Sequence, residues 1–360
     1  MKIGLRVSTV GLLLACGGGL TPACDRGNSS SVPDALAEPT VTSVSIPIED
    51  QGLITIRGSG FGAKTVAAPY RWDDFDSGVP GERLLEERAG GWYTSSAQAG
   101  RWPRCAVDRK RYPGTQSALQ DFTKGNYNQT IGLRDLPDAP LYVSGWFYLT
   151  TWGAPSRNVK LLQIRMGELE SMGWEGRVDQ APSTDAGHQY IHDCDASDLN
   201  TPMQNWGIGD EMWLDQWHRL ESWLDQGAPG GNNGVWTIWI DGQPWTELRG
   251  AFMDSADCPF DHLYVGHYFA SDEGTPQPQA QRWWDELYVD FTRARVEMGD
   301  APTWSACTHR EIQVPQAWSA NAITIRVHQG SFASGQKVYL YVVDENGVVN
   351  SQGFSLILGG

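Results

Sequence analysis

Trp217-His218-Arg219-Leu220-Glu221-Ser222-Trp223-Leu224-Asp225, followed a turn later by Gly234-Val235-Trp236-Thr237-Ile238-Trp239-Ile240-Asp241-Gly242, is the stretch on which the fold turns. Alternate residues of an extended chain share a face, so Leu220, Ser222 and Leu224 oppose Arg219, Glu221 and Trp223. The residues between the two runs are Gly, Pro and Asn in the main, which is turn chemistry. The same alternation recurs over Leu141–Thr150, Val159–Met166, His188–His192, His262–Phe269 and Trp283–Asp290. Strands of five to ten residues joined by such turns predict antiparallel sheets, and no segment carries a convincing helical period.

Composition agrees with that reading. The 360 residues include 41 Gly, 20 Pro and 17 Trp, and 40% are hydrophobic, which excludes a wholly disordered chain. Acidic residues number 43 against 27 basic ones, a net charge of −16. So acidic a chain lacks the basic footprint that nucleic acid or anionic lipid demands, and both partner classes are excluded.

At the N-terminus, Lys2 and Arg6 precede the apolar run Val7–Leu14, which closes on Ala15-Cys16. The run is too short to span a bilayer and has the length of a signal peptide. Leu13-Leu14-Ala15-Cys16 resembles a bacterial lipobox, which implies a signal peptide over 1–15, a lipid on Cys16 and a flexible tether over 16–39. Cys24, after Thr21-Pro22-Ala23, is the alternative acylation site. The expected location is the bacterial cell envelope or surface, with contact to the membrane through the anchor only. In that oxidising compartment Cys105, Cys194, Cys258 and Cys307 are disulfide candidates, because no CxxC or HxxxH spacing points to a metal.

The two ends of the chain read as halves of one unit. Thr40–Ser45 and Leu53–Arg57 lead into Gly58-Ser59-Gly60-Phe61-Gly62, and Trp318-Ser319 precedes strands over 322–327, 338–343 and 354–358 with an Asn346-Gly347 turn. These pieces resemble the opening and closing parts of an IPT/TIG immunoglobulin-like domain. Neither has strands enough for a sandwich alone, so 40–66 and 311–360 are expected to close together around a domain inserted over 67–310. The middle block, with Trp217–Trp223 and the Trp239-Ile240-Asp241-Gly242 ending, resembles the concanavalin A-like lectin/glucanase superfamily, including laminin-G-like and polysaccharide-lyase-like jelly rolls. The expected class is thus all-β: a jelly-roll sandwich plus a small immunoglobulin-like sandwich.

That resemblance implies a ligand on the concave sheet. Tyr142, Ser144, Trp146 and Tyr148 share one face of their strand, as do Arg219 and Glu221 on another, His188, Tyr190 and His192 on a third, and Gln163 and Arg165 on a fourth. Aromatic faces stack on sugar rings and the polar tips bond hydroxyls or carboxylates, so these rows suit a glycan groove. The reading preferred on sequence is a cell-surface glycan-binding protein using Tyr142, Trp146, Tyr148, Arg165, His188, Tyr190, His192, Arg219 and Glu221. Its alternative is a uronate lyase with Tyr190 or His192 as base and Arg165 with Gln163 neutralising the carboxylate. Lys124-Gly125-Asn126-Tyr127-Asn128-Gln129 is similar to a stretch of alginate lyases, although it precedes Gln163-Ile164-Arg165 where that family has it later. A third reading is a surface scaffold without a sugar site. No paired-carboxylate array of the glycosidase kind is present. No cofactor is required; calcium is allowed, with Asp74 and Asp285 as candidate ligands if the first and last jelly-roll strands pair.

Overall fold

Residues 37–84, 91–96, 99–123, 128–150, 159–165, 175–181, 186–192, 203–207, 214–253, 259–266 and 280–359 are described by the computed structural model, with backbone alone for 159–160, 175–181, 186–192 and 203–207. The strands in its first half are β1 (Thr40–Val44), β2 (Leu53–Ser59), β3 (Arg71–Asp73), β4 (Tyr93–Ser96), β5 (Arg104–Ala106), β6 (Ser117–Asp121), β7 (Gln129–Leu133), β8 (Leu141–Leu149), β9 (Val159–Arg165), β10 (Glu175–Ala181) and β11 (Ala186–His192). The second half supplies β12 (Met203–Gly207), β13 (Trp217–Asp225), β14 (Gly234–Ile240), β15 (Gln243–Gly250), β16 (His262–Val265), β17 (Gln281–Asp290), β18 (Arg295–Gly299), β19 (Arg310–Ser319), β20 (Ala322–Arg326), β21 (Lys337–Val343) and β22 (Phe354–Ile357). Among the described residues the one helical element is a single 3₁₀ turn, Trp304–Ala306.

Two sheets make the jelly roll. One runs β12-β11-β10-β9-β16-β7-β4, the other β15-β14-β13-β8-β17-β6-β5 with β3 added beside β17. Their facing residues, among them Leu162, Ile164, Leu263, Val265, Phe147, Leu220, Trp236, Ile238 and Trp284, form one buried core. β13 and β14 pair antiparallel as their alternation requires, with Leu220 opposite Ile240 and Leu224 opposite Trp236. Asp241 and Gly242, both at positive φ, make the two-residue turn into β15, which is the hairpin geometry that matches sheet twist. Tryptophans are core filler here: Trp92, Trp236, Trp283 and Trp284 are all about fully buried.

A third sheet follows the order β1-β2-β20-β19-β18-β21-β22. Its long strand β19 pairs with β18 over Arg310–Gln313 and with β20 from Val314 onward, with a register shift near Pro315. That bend lets the two halves of the sheet face each other, so Ile54, Ile56, Ile323 and Ile325 meet Val296, Met298, Val338, Leu340 and Val342 in a second core. β2, from near the beginning of the chain, pairs with β20 from near its end. Arg295–Gly299, within the 67–310 range expected to be jelly roll, instead pairs with β19 and β21 in this third sheet.

Candidate functional site

The rows expected on β8 and β13 do share a face: Trp146 lies opposite Arg219, Ser144 opposite Glu221 and Tyr148 opposite Trp217. That face is covered by β18, β19 and the segment around Arg109–Tyr112 rather than open to a ligand. Tyr142 is 1% exposed and donates its hydroxyl to Glu221 Oε1 at 2.8 Å. Arg219 reaches Glu297 at 2.7 Å, Arg295 reaches Glu297 at 2.6 Å, and Arg310 joins the same carboxylate at 3.1 Å. The Asp241-Gly242 turn leaves room for Arg310, since a Cβ on Gly242 would stand 2.3 Å from its guanidinium. Trp146 lies under the Arg111 guanidinium, 3.9 Å from the ring centre, and Tyr148 packs edge-on against Trp283 and Trp217. Tyr142, Trp146, Tyr148, Arg219 and Glu221 are therefore interior partners of a buried ionic layer, not walls of a groove. Complementary charge on two distant strands is what draws them together, because a buried guanidinium is tolerated only where it is paired.

The calcium candidates fare similarly. β3 and β17 do pair, with Asp73 opposite Leu287. Asp74, however, accepts the Asp76 amide in a local turn, and Asp285 accepts the neighbouring Glu286 amide. Burial, with Glu286 next to it, holds the Asp285 carboxyl well above the usual range. The three ligand-type residues that gather are instead Glu286, Glu311 and His328, whose donor atoms lie within 4.8 Å of one another. Arg111 bridges both glutamates, so a guanidinium already stands where a cation would neutralise them.

His328 in this cluster gives a test of its electrostatics. Burial opposes its protonation, but Glu286 at 2.8 Å, with Glu311 beyond, outweighs that and raises it from 6.5 to about 9. A group raised in the folded state contributes its full stabilisation below the unfolded value and loses it as pH rises through the folded one. The melting temperature is expected to fall between pH 6.5 and 9, by the equivalent of at most about 3 kcal/mol. His328→Gln is expected to start lower and to flatten that slope in melts recorded from pH 6 to pH 10.

The other jelly-roll sheet carries what remains. On β9, Leu162 and Ile164 enter the core, which turns Gln163 and Arg165 to the opposite face; on β16, Leu263 and Val265 do the same for His262 and Tyr264. Arg165 pairs across the strands with His262, and Gln163 with Tyr264. Directly opposed residues stand about 5 Å apart at Cβ, so the four form one square of a guanidinium, an amide, an imidazole and a phenol. All are nearly enclosed, from 0% exposed for Tyr264 to 6% for Arg165. The Arg165 guanidinium has no side-chain partner among the described residues, and its Nε is buried without one. His262 Nδ1 meets Asp261 Oδ1 at 2.5 Å. A Cβ on Gly132 of β7 would stand 2.6 Å from both the Leu263 carbonyl oxygen and the Tyr264 ring, so any larger residue would disturb the β7–β16 pairing as well as that ring. Tyr93, with Arg134 3.4 Å over its ring, continues the row at 6.3 Å from Tyr264.

Strand register extends this square to the sequence-derived residues. Tyr264, Gln163, Arg177 and Tyr190 occupy one cross-strand row, and His262, Arg165, Glu175 and His192 the next. His188 sits one step along the strand, opposite Asp179 and Asn205. The side chains of Tyr190, His192 and His188 lie outside the described residues, as do Cys16, Cys24, Cys194, Cys258 and 124–127. Cys105 is in the first core and Cys307 is buried beside Tyr341, its thiol within reach of the Ala301 and Thr303 carbonyls, so this disulfide candidate is a free thiol. Sequence reasoning missed His262 and Tyr264. The signal was available in the alternation of His262–Val265, which puts both on the face opposite Leu263 and Val265.

Fold and site together define an all-β protein whose larger part is a jelly-roll sandwich with a polar square on one outer sheet face. No protein-family model matches the sequence, and no curated protein does. Among solved structures it is similar to an endo-β-1,4-glucuronan lyase from the fungus Trichoderma reesei, at 16% identity and a TM-score of 0.46 over 62% of this chain and 96% of that one. It is also similar to a marine alginate lyase from Aplysia kurodai, at 12% identity and 0.44 over 63% and 99%, and to an alginate lyase from a Chlorella virus, at 12% and 0.40 over 56% and 94%.

Proposed function

We propose that this protein is a polysaccharide lyase acting on uronate-containing chains at the square of Gln163, Arg165, His262 and Tyr264. The observation that carries the reading is the Arg165 guanidinium, buried and without an acidic side-chain partner among the described residues, in a chain of net charge −16. A buried unpaired cation costs several kcal/mol, and a substrate carboxylate is the ligand whose geometry a guanidinium fits. Global repulsion of a polyanion is screened beyond about 8–10 Å in physiological salt, whereas the local cation acts at contact. With the carboxylate held by Arg165 and Gln163, the carbon beside it becomes acidic. A base removes that proton, charge develops on the carboxylate oxygens, and the C–O bond to the next sugar breaks as a C=C bond forms. The departing oxygen takes up a proton. His262 and Tyr264 are adjacent proton-transfer groups, and Tyr190 and His192 occupy positions in the same two rows.

Incubation with polyuronates is expected to release unsaturated ends read by ultraviolet absorbance, and the carboxyl-reduced polymers should release none. Retention on polyuronate without any such product would replace this reading by the glycan-binding one. We further propose that the third sheet is an IPT/TIG-like sandwich and that the chain is exported and tethered at Cys16. Radiolabelled fatty acid should enter the native protein and not Cys16→Ser.

A further inference from the structure

Resting on the lyase reading, we infer that His262 is the general base and that Asp261 is the positioning residue that makes it one. An ionised carboxylate only accepts hydrogen bonds, so at the Asp261 contact of 2.5 Å the Nδ1 of His262 must be the donor. A neutral imidazole has one proton on its two ring nitrogens. With Nδ1 protonated, the lone pair is on Nε2, the nitrogen with no partner among the described residues, and that is the form which accepts a proton from carbon. The backbone fixes the pair as firmly as the side chains do. The Asp261 amide donates to the Arg165 carbonyl at 3.0 Å, and His262 is the strand partner of Arg165. The group that holds the carboxylate and the group that takes the proton are therefore on directly opposed residues. Asp261 is one-third exposed at its side chain while the imidazole is 6% exposed, so the carboxylate stands at the rim and the ring inside.

Nitrogen-15 NMR of histidine-labelled protein is the primary experiment, because it needs no substrate. Native His262 is expected to show the Nδ1–H tautomer, and Asp261→Asn a mixture or the Nε2–H form. On polyuronate, Asp261→Asn should lower kcat about 100-fold with KM unchanged, within the range a positioned base contributes. Asp261→Glu should restore part of it. His262→Ala should lose at least as much as Asp261→Asn. An unchanged tautomer together with unchanged kcat in Asp261→Asn overturns the positioning role, while loss of turnover in Arg165→Ala would leave the lyase reading intact. Full turnover in His262→Ala overturns the base assignment, and the positioning role of Asp261 with it, while leaving the lyase reading. Absence of product from native protein on every polyuronate removes the lyase reading, and the base assignment falls with it whatever the tautomer.

Discussion

Glu297→Gln is expected to destabilise the protein by about 3–5 kcal/mol, the penalty for removing one partner of a buried ion pair. Glu297 is fully buried and accepts from three guanidiniums, those of Arg219, Arg295 and Arg310. Burial works against its charge, but these arginines overcome that and hold its carboxyl far below the usual range. Its stabilisation is thus present above the ordinary carboxylate value near 4.5 and is lost only as pH falls well below it. A glutamine keeps the shape and removes the charge, so three buried cations would share Glu221 alone. Glu221 sits at the longer distances of 3.4 and 3.5 Å from them. In thermal melts the loss should appear as a drop on the order of 10 °C. An exchange that costs less than about 0.5 kcal/mol, the range of ordinary surface substitutions, would mean this layer does not hold the third sheet to the jelly roll.

That ionic layer also explains what could and could not be read beforehand. The alternation of Trp217–Asp225 sets both its strand and the face shared by Arg219, Glu221 and Trp223, since period two is a local property of the chain. What covers the face is not local. Its partners are Arg295 and Glu297 on β18 and Arg310 on β19, some eighty residues away, so polar tips meant for burial looked like polar tips meant for sugar. A trace was there: Arg219-x-Glu221 and Arg295-x-Glu297 are the same charge pattern at the same strand spacing, as two faces that interlock require. Strands β6 and β7, Ser117–Asp121 and Gln129–Leu133, escaped for a related reason. Both are buried at every position, and their Gln120 and Gln129 amides bond backbone of neighbouring strands, so no polar–apolar alternation marks them. Gln163 and Arg165 were legible because they alternate with Leu162 and Ile164 in one short run. His262 and Tyr264 gain meaning only when β16 is placed next to β9, a pairing across almost a hundred residues.

Arg165→Ala is expected to move activity and stability in opposite directions. If the guanidinium holds the substrate carboxylate as charge develops on it, its loss removes an interaction that strengthens in the transition state, and kcat should fall about 10²–10³-fold. Among the described residues the guanidinium has no side-chain partner to lose, and removing it sheds the cost of enclosing that charge at 6% exposure. Lost packing of the aliphatic stem offsets part of that gain, so the rise in unfolding free energy should be about 0.5–2 kcal/mol, the usual size where a strained functional group is relieved. Arg165→Lys keeps the charge without the planar fork, and should restore binding more than turnover. Urea denaturation and steady-state kinetics on the same preparations decide the matter. A guanidinium that merely fills space or pairs structurally would lower both quantities together, whereas a substrate anchor lowers one and raises the other.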